Sequence, residues 1–217
     1  GSRGLGDVYK RQIDNIRIKT IPSKWYMDEQ ILKIEKRNIF SKSWHLFCST
    51  DQISNPGDYK TMMINDQPII IIKDENNSIN AFYNVCQHRG CVLLDNNGNA
   101  KSLKCGYHGW VYDLNGNLKA ARGFDKQKIK IEEFSLKPVE HHVWMNLIFV
   151  KLQNECYDIK KTLTKIEKII SPIRFDQYSY HSRVSYKINC NWKIYMDNYL
   201  EGFHICLLYT SPSPRDP

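Results

Sequence analysis

Apolar positions run along this chain in two rhythms. In DEQILKIEKRNIFSKSWHLF, residues 28–47, Ile31, Leu32, Ile34, Ile39, Phe40 and Trp44 fall at near-helical intervals, and Asp28 is placed to cap the first turn. The rhythm then shortens. DYKTMMI (58–64), QPIIIIK (67–73) and INAFYNV (79–85) read as strands, separated by turn-prone Asn65-Asp66 and the DENNS run. WVYDLNGNLKA (110–120) carries a hairpin signal with Asn115-Gly116 suited to a tight turn, and VWMNLIFVKL (143–152) completes an all-β module. Helical spacing returns in YDIKKTLTKIEKIISPI (157–173), amphipathic from Asp158 to Ile170. HSRVSYKIN (181–189) alternates like a half-buried strand, and NWKIYMDNYLEGFHI (191–205) is helical again, with Asn191 as a cap. The order predicts an α+β chain: a helical lead-in over 13–44, an all-β module over 45–155, and the start of an α+β domain over 156–205.

Bulk properties narrow the classes. The chain has 217 residues, enough for one large domain or two small ones. No apolar run approaches the roughly 20 residues of a membrane helix, and no long apolar core opens the N-terminus. Seven cysteines are an odd number at spacings unlike a disulfide scaffold, which predicts a reducing, cytoplasmic setting in which thiolates serve metal. The net charge of +8 comes from basic residues spread singly among acids, with no aromatic-interleaved cluster, so nucleic acid is not an expected partner and neither is a membrane. The ends, GSRGLGDVYKRQ (1–12) and CLLYTSPSPRDP (206–217), lack consistent periodicity and are similar to translated sequencing adapters. They read as non-native, and setting aside their net +2 leaves +6.

The chemistry concentrates in CQHRGC (86–91) and CGYHGW (105–110). Cys86, His88, Cys105 and His108 offer two thiolates and two imidazoles, donors that suit zinc or iron and exclude a carboxylate-bound magnesium or calcium site. A structural zinc site more often takes paired cysteines from one knuckle. In a Rieske [2Fe-2S] cluster one iron takes both Cys and the other both His, so each loop must carry one of each. Simple packing of buried Cys and His is the third reading.

With NVCQHRG, CGYHGWVYDLNG, the upstream IFSKSWHLF and GDY, and sixteen residues between His88 and Cys105, the chain resembles the Rieske domain of Rieske-type non-haem iron oxygenases. The resemblance implies a [2Fe-2S] cluster on Cys86, His88, Cys105 and His108. Respiratory Rieske proteins bridge their two loops with an extra cysteine in each; here Cys91 faces Tyr107, so that bridge is excluded. Trp110 stands where those proteins place a sulfur-bonding serine, which implies fewer hydrogen bonds to sulfur and a lower potential. Cys91 reads as a small packed thiol.

NCNWKIYMDNYLEGFHI resembles the start of the mononuclear-iron motif of the oxygenase α subunit, with Asn191-Trp192-Lys193, then Asp197-Asn198, then Glu201 and His204. On a helix Asp197, Glu201 and His204 share one face. The resemblance implies His204 as an Fe(II) ligand, Glu201 as the bridge from a neighbouring subunit's His108 or His88 to His204, and Asp197 and Asn198 as further catalytic residues. The matching second histidine falls at Tyr209 and the carboxylate ligand beyond the chain, so a truncated oxygenase is expected. The plainer reading is a helix packed through Trp192, Tyr195, Tyr199 and Phe203. The family further implies NAD(P)H electrons delivered by a flavin/iron-sulfur reductase or ferredoxin, a homotrimer, O₂ and a small-molecule substrate. Glu201 and the phrase DNYLEGFH are similar to the branch acting on quaternary amines such as choline, betaine or carnitine. The rivals are a stand-alone Rieske electron carrier, an oxygenase acting on an aromatic ring, and a zinc-bound interaction module.

Overall fold

The computed structural model describes residues 21–124, 130–170 and 173–201, apart from the Glu201 side chain. The chain divides into two compact units, residues 34–184 and a second that joins 1–33 with 185–217. Along the sequence run α1 (Lys24–Met27), α2 (Glu29–Asn38), β1 (Trp44–Ser49), β2 (Asp58–Ile64), β3 (Gln67–Lys73), β4 (Ile79–Tyr83) and β5 (Asn97–Asn99). Then come β6 (Leu103–Lys104), β7 (Val111–Tyr112), β8 (Leu118–Ala120), β9 (Glu140–Trp144), β10 (Leu147–Lys151), α3 (Ile159–Ile170) and α4 (Trp192–Glu201).

The larger unit holds three antiparallel sheets, ordered β1-β10-β9, β4-β3-β2-β5 and β6-β7-β8. Strand β3 explains the PIIII run. Ile69 and Ile71 enter a core with Phe47, Ile53, Ile148 and Val150, while Ile70 and Ile72 enter a second core with Leu103, Trp110 and Tyr112. All four isoleucines are fully buried, so the strand is apolar on both faces, and each contributes about 1.5–3 kcal/mol of burial. The second core is the one that includes Cys86 and Cys105.

The β2–β3 hairpin turns on Asn65 and Asp66, both at positive φ (47° and 63°), a conformation these two side chains tolerate. The Asn115-Gly116 turn is wider than expected. It runs from Asp113 to Asn117, with the Asp113 carboxylate accepting the N–H groups of Asn115 and Asn117. Residues 143–152 complete the all-β module as a hairpin, with Met145 and Asn146 turning the chain from β9 into β10.

The helical pattern over 28–47 carries only as far as Asn38. Asp28 Oδ1 accepts the Gln30 N–H at 2.8 Å, as the cap requires. Beyond it the hydroxyls of Ser41 and Ser43 bond back to the Lys36 and Ile39 carbonyls and compete with the helix, and Trp44–Phe47 pairs with β10 instead. Asp158 and Asn191 cap α3 and α4 through the Lys160 and Lys193 N–H groups. The strand expected at 181–189 is absent from the described ladders. Val184, Tyr186 and Ile188 are 72%, 83% and 56% exposed, because alternation makes a strand only where a partner accepts its hydrogen bonds.

Candidate metal centre

Two loops rise from the second core. The first follows β4 and the second joins β6 to β7. Asn84, 1% exposed, ties down the first: its side-chain amide donates to the Leu94 carbonyl at 2.6 Å and its Oδ1 accepts the Leu94 N–H at 3.2 Å.

The loops share one backbone frame. In the first, Gly90 N–H donates to the Cys86 carbonyl (3.0 Å) and Cys86 N–H to the Cys91 carbonyl (2.8 Å). In the second, Gly109 N–H donates to the Cys105 carbonyl (3.0 Å) and Cys105 N–H to the Trp110 carbonyl (2.8 Å). Gly90 and Gly109 both sit at φ +72°, where glycine closes the turn without strain. Cysteine therefore leads each loop, and histidine stands third in the first and fourth in the second. This offset is why one spacing is C-x-H and the other C-x2-H.

Within that frame thiol meets thiol and imidazole meets imidazole. Cys86 and Cys105 are 1% and 2% exposed, and the His88 and His108 ring centroids lie 4.7 Å apart. Trp110 stacks on His88 at 4.8 Å and 10°, Phe124 meets the His88 edge at 5.4 Å, and Tyr107 lies against His108 at 3.8 Å. Aromatic rings thus pack against both imidazoles, which stay half-exposed.

Tyr112 reaches the sulfurs from below. Its Oη accepts the Gln87 N–H at 3.0 Å and lies 3.3 Å from Cys86 Sγ, so its own proton is free to point at sulfur. Burial, then the contact with Cys86, raises the phenol. Burial also raises the Cys86 thiol. Cys105 is lowered: burial opposes this, but the N–H groups of Tyr107 and His108 and the thiols of Cys86 and Cys91 outweigh it. Partial burial, then His108 and Arg89, lowers His88 and favours its neutral, metal-binding form.

The comparisons with known proteins agree with this geometry. Residues 43–135 match the Rieske [2Fe-2S] domain, and residues 175–213 match the ring hydroxylating alpha subunit (catalytic domain). The chain carries a Rieske domain followed by part of a ring-hydroxylating α-subunit domain. It is 33% identical to the chloroplastic choline monooxygenase of Arabidopsis thaliana over 202 residues, covering 87% of this chain and 48% of that one. It is 31% identical to the carnitine monooxygenase oxygenase subunit of Escherichia coli (strain K12), covering 85% and 50%. Among solved structures, a quaternary ammonium Rieske monooxygenase with L-carnitine superposes at TM-score 0.78 with 30% identity, covering 86% and 54%. Naphthalene 1,2-dioxygenase from Rhodococcus sp. gives 0.75 with 26% identity, covering 99% and 50%. The chain spans about half the length of these relatives.

The Rieske loops fit a two-iron cluster on their own terms. His108 Nδ1 is buried without a hydrogen-bond partner, an orphaned donor or acceptor beside a second imidazole and two thiols. Among the described residues no three Cys, His or carboxylate side chains converge as one bound ion would need. A cluster asks for two protein ligands per iron, and the Rieske loops supply two sulfurs and two nitrogens. Tyr112, Asn84 and Phe124 were not singled out by sequence reasoning. Tyr112 and Asn84 left a trace, as residues within CGYHGWVYDLNG and NVCQHRG.

The second candidate site is partly described. Helix α4 carries Asp197 and Asn198 and ends at Glu201; His204 lies outside the described residues. Asp197 Oδ2 accepts the Tyr26 hydroxyl at 2.5 Å, within the smaller unit, and Asn198 is exposed.

Proposed function

We propose that this chain is the N-terminal part of a Rieske oxygenase α subunit that hydroxylates a small quaternary amine, with Cys86, His88, Cys105 and His108 as the cluster ligands. The observation that carries the reading is the pair of matching loops, each of which brings one buried thiol and one half-buried imidazole to the edge of the second core. A [2Fe-2S] group bound there stores and releases one electron at a time. The chain's own residues set the conditions. The Tyr107 and His108 N–H groups favour the Cys105 thiolate, Tyr112 donates to Cys86, and Trp110 and Phe124 orient the His88 ring. His204 is the proposed ligand of a mononuclear iron, with Glu201 as the bridge between the two metals and Asp197 and Asn198 as further catalytic residues. The electron source is a reductase or ferredoxin that draws on NAD(P)H, and the working assembly is a homotrimer. Similarity to the choline and carnitine monooxygenases supports the quaternary-amine substrate over an aromatic ring, and the match at 175–213 supports an oxygenase over a stand-alone carrier.

Anaerobic reconstitution tests the cluster. The chain is expected to take up iron and acid-labile sulfide in equal amounts and to show a paramagnetic signal on dithionite reduction; a colourless, zinc-bound protein would refute it. The complete α subunit with its reductase is expected to consume O₂ with choline or carnitine and not with naphthalene.

A further inference from the structure

Beside the two ligand thiols lies a third that the cluster does not need. Cys91 holds the sixth place of the first loop, where the second loop has Trp110; the shared backbone frame therefore puts it outside the ligand positions. Trp110 is 1% exposed, whereas Cys91 is only partly covered, packed against the core that contains Cys86 and Cys105 and facing both of their thiols. Its neighbours Gly90 and Val92 are exposed, and nothing lies within 4 Å of the place a Gly90 side chain would take, so small solutes reach this end of the loop. No other described cysteine combines these features. Cys48 is sealed in the opposite core, and Cys156 and Cys190 belong to other segments.

We propose that Cys91 closes the empty cluster site, forming a reversible disulfide with Cys105 when the cluster is absent and a low-molecular-weight disulfide is present. The inference rests on the Rieske reading of the four ligands and goes beyond it. The exchange runs in two steps. The Cys91 sulfur attacks a disulfide such as oxidised glutathione, giving a Cys91–glutathione mixed disulfide and one glutathione thiol. The Cys105 sulfur then attacks the Cys91 sulfur, forming the Cys91–Cys105 bond and releasing the second glutathione thiol. Two protein thiols are oxidised, one small disulfide is reduced to two thiols, and the two protons pass to the released thiols. Access favours Cys91 as the entry point, since Cys86 and Cys105 are 1% and 2% exposed. Cys86 is the poorer partner because Tyr112 Oη holds its sulfur at 3.3 Å. In the loaded protein both ligand sulfurs are engaged by iron and Cys91 has nothing to pair with. The bond thus blocks loading with metal under oxidising conditions and reopens on reduction. It differs from the respiratory Rieske bridge, whose second position is Tyr107 here.

Trypsin makes the test direct, because Arg89, Lys101 and Lys104 separate Cys86, Cys91 and Cys105 into three peptides. Metal-free reduced chain is exposed to oxidised glutathione, alkylated, digested and mapped by mass spectrometry. The peptide starting at Gly90 is expected joined to the peptide starting at Cys105, about tenfold over any link to Cys86 and about tenfold less in chain loaded beforehand. Dithiothreitol should restore loading. Cys91→Ser should take up iron and sulfide as the wild type does. A dominant Cys86–Cys105 link, no link at all, an equal yield in loaded chain, or loss of metal uptake in Cys91→Ser would each overturn the proposal. Failure of the reduced wild type to take up iron and sulfide would instead sink the Rieske reading, whatever the mapping shows.

Discussion

Tyr112 is the residue that most alters the expectation drawn from the loops. Trp110 in place of a serine implied fewer hydrogen bonds to the sulfurs; the fold returns one through a hydroxyl two residues further on, 3.3 Å from Cys86 Sγ. A donor to a ligand sulfur favours the reduced, more negative cluster. Tyr112→Phe is therefore expected to lower the midpoint potential of the reconstituted chain by on the order of 50 mV, roughly the net contribution of one ordinary hydrogen bond expressed for a single electron. Potentiometric titration followed by visible absorbance checks this, and an unchanged potential would mean that the hydroxyl serves only the Gln87 N–H. The four ligand positions were legible because ligand chemistry follows from atom type and short spacing. Tyr112 was not, because its partner lies 26 residues away on another loop.

At the scale of elements, turns decide where the ligands stand. Gly116 sits at φ +80° with the Phe82 ring 2.6 Å from the place of an added Cβ, whereas Gly90, at φ +72°, faces open space. Gly90→Ala should thus cost about 1–2 kcal/mol, for the backbone conformation alone. Gly116→Ala should cost about 1–3 kcal/mol more, for the overpacking of Phe82 against the second core. Urea unfolding of the metal-free chain measures both, and equal losses would contradict the contact. Asn84 acts on the same loop through two bonds to Leu94. Asn84→Ala should cost about 1–3 kcal/mol by leaving the part-buried Leu94 backbone groups without these bonds. Element types were mostly readable from apolar rhythm, and their ends less so. The helix from Glu29 stops at Asn38 because serine hydroxyls compete for its carbonyls, and 181–189 stays irregular because no described strand meets it.

Across the larger unit, pH reaches stability through His141 on β9. Burial lowers it below its ordinary value, with His142 in the same direction and the Val139 backbone and Glu140 opposing. The folded chain therefore binds this proton less readily than the unfolded one. Its contribution is complete above the unfolded value of about 6.5 and is lost as pH falls towards the lower folded value. The urea midpoint should drop between pH 7.5 and 5.5, by less in His141→Gln; identical slopes would rule His141 out.

By itself the sequence determined the donor set, the strand through Ile69–Ile72 and the caps at Asp28 and Asn191, because each depends on residue type within a few positions. Only the tertiary structure decided that the two loops share one frame, that Tyr112 serves Cys86, and that Cys91 lies beside both ligand thiols. Those are contacts between segments far apart in the chain. Local pattern carries no information on which distant groups will meet, since packing of the whole core selects them.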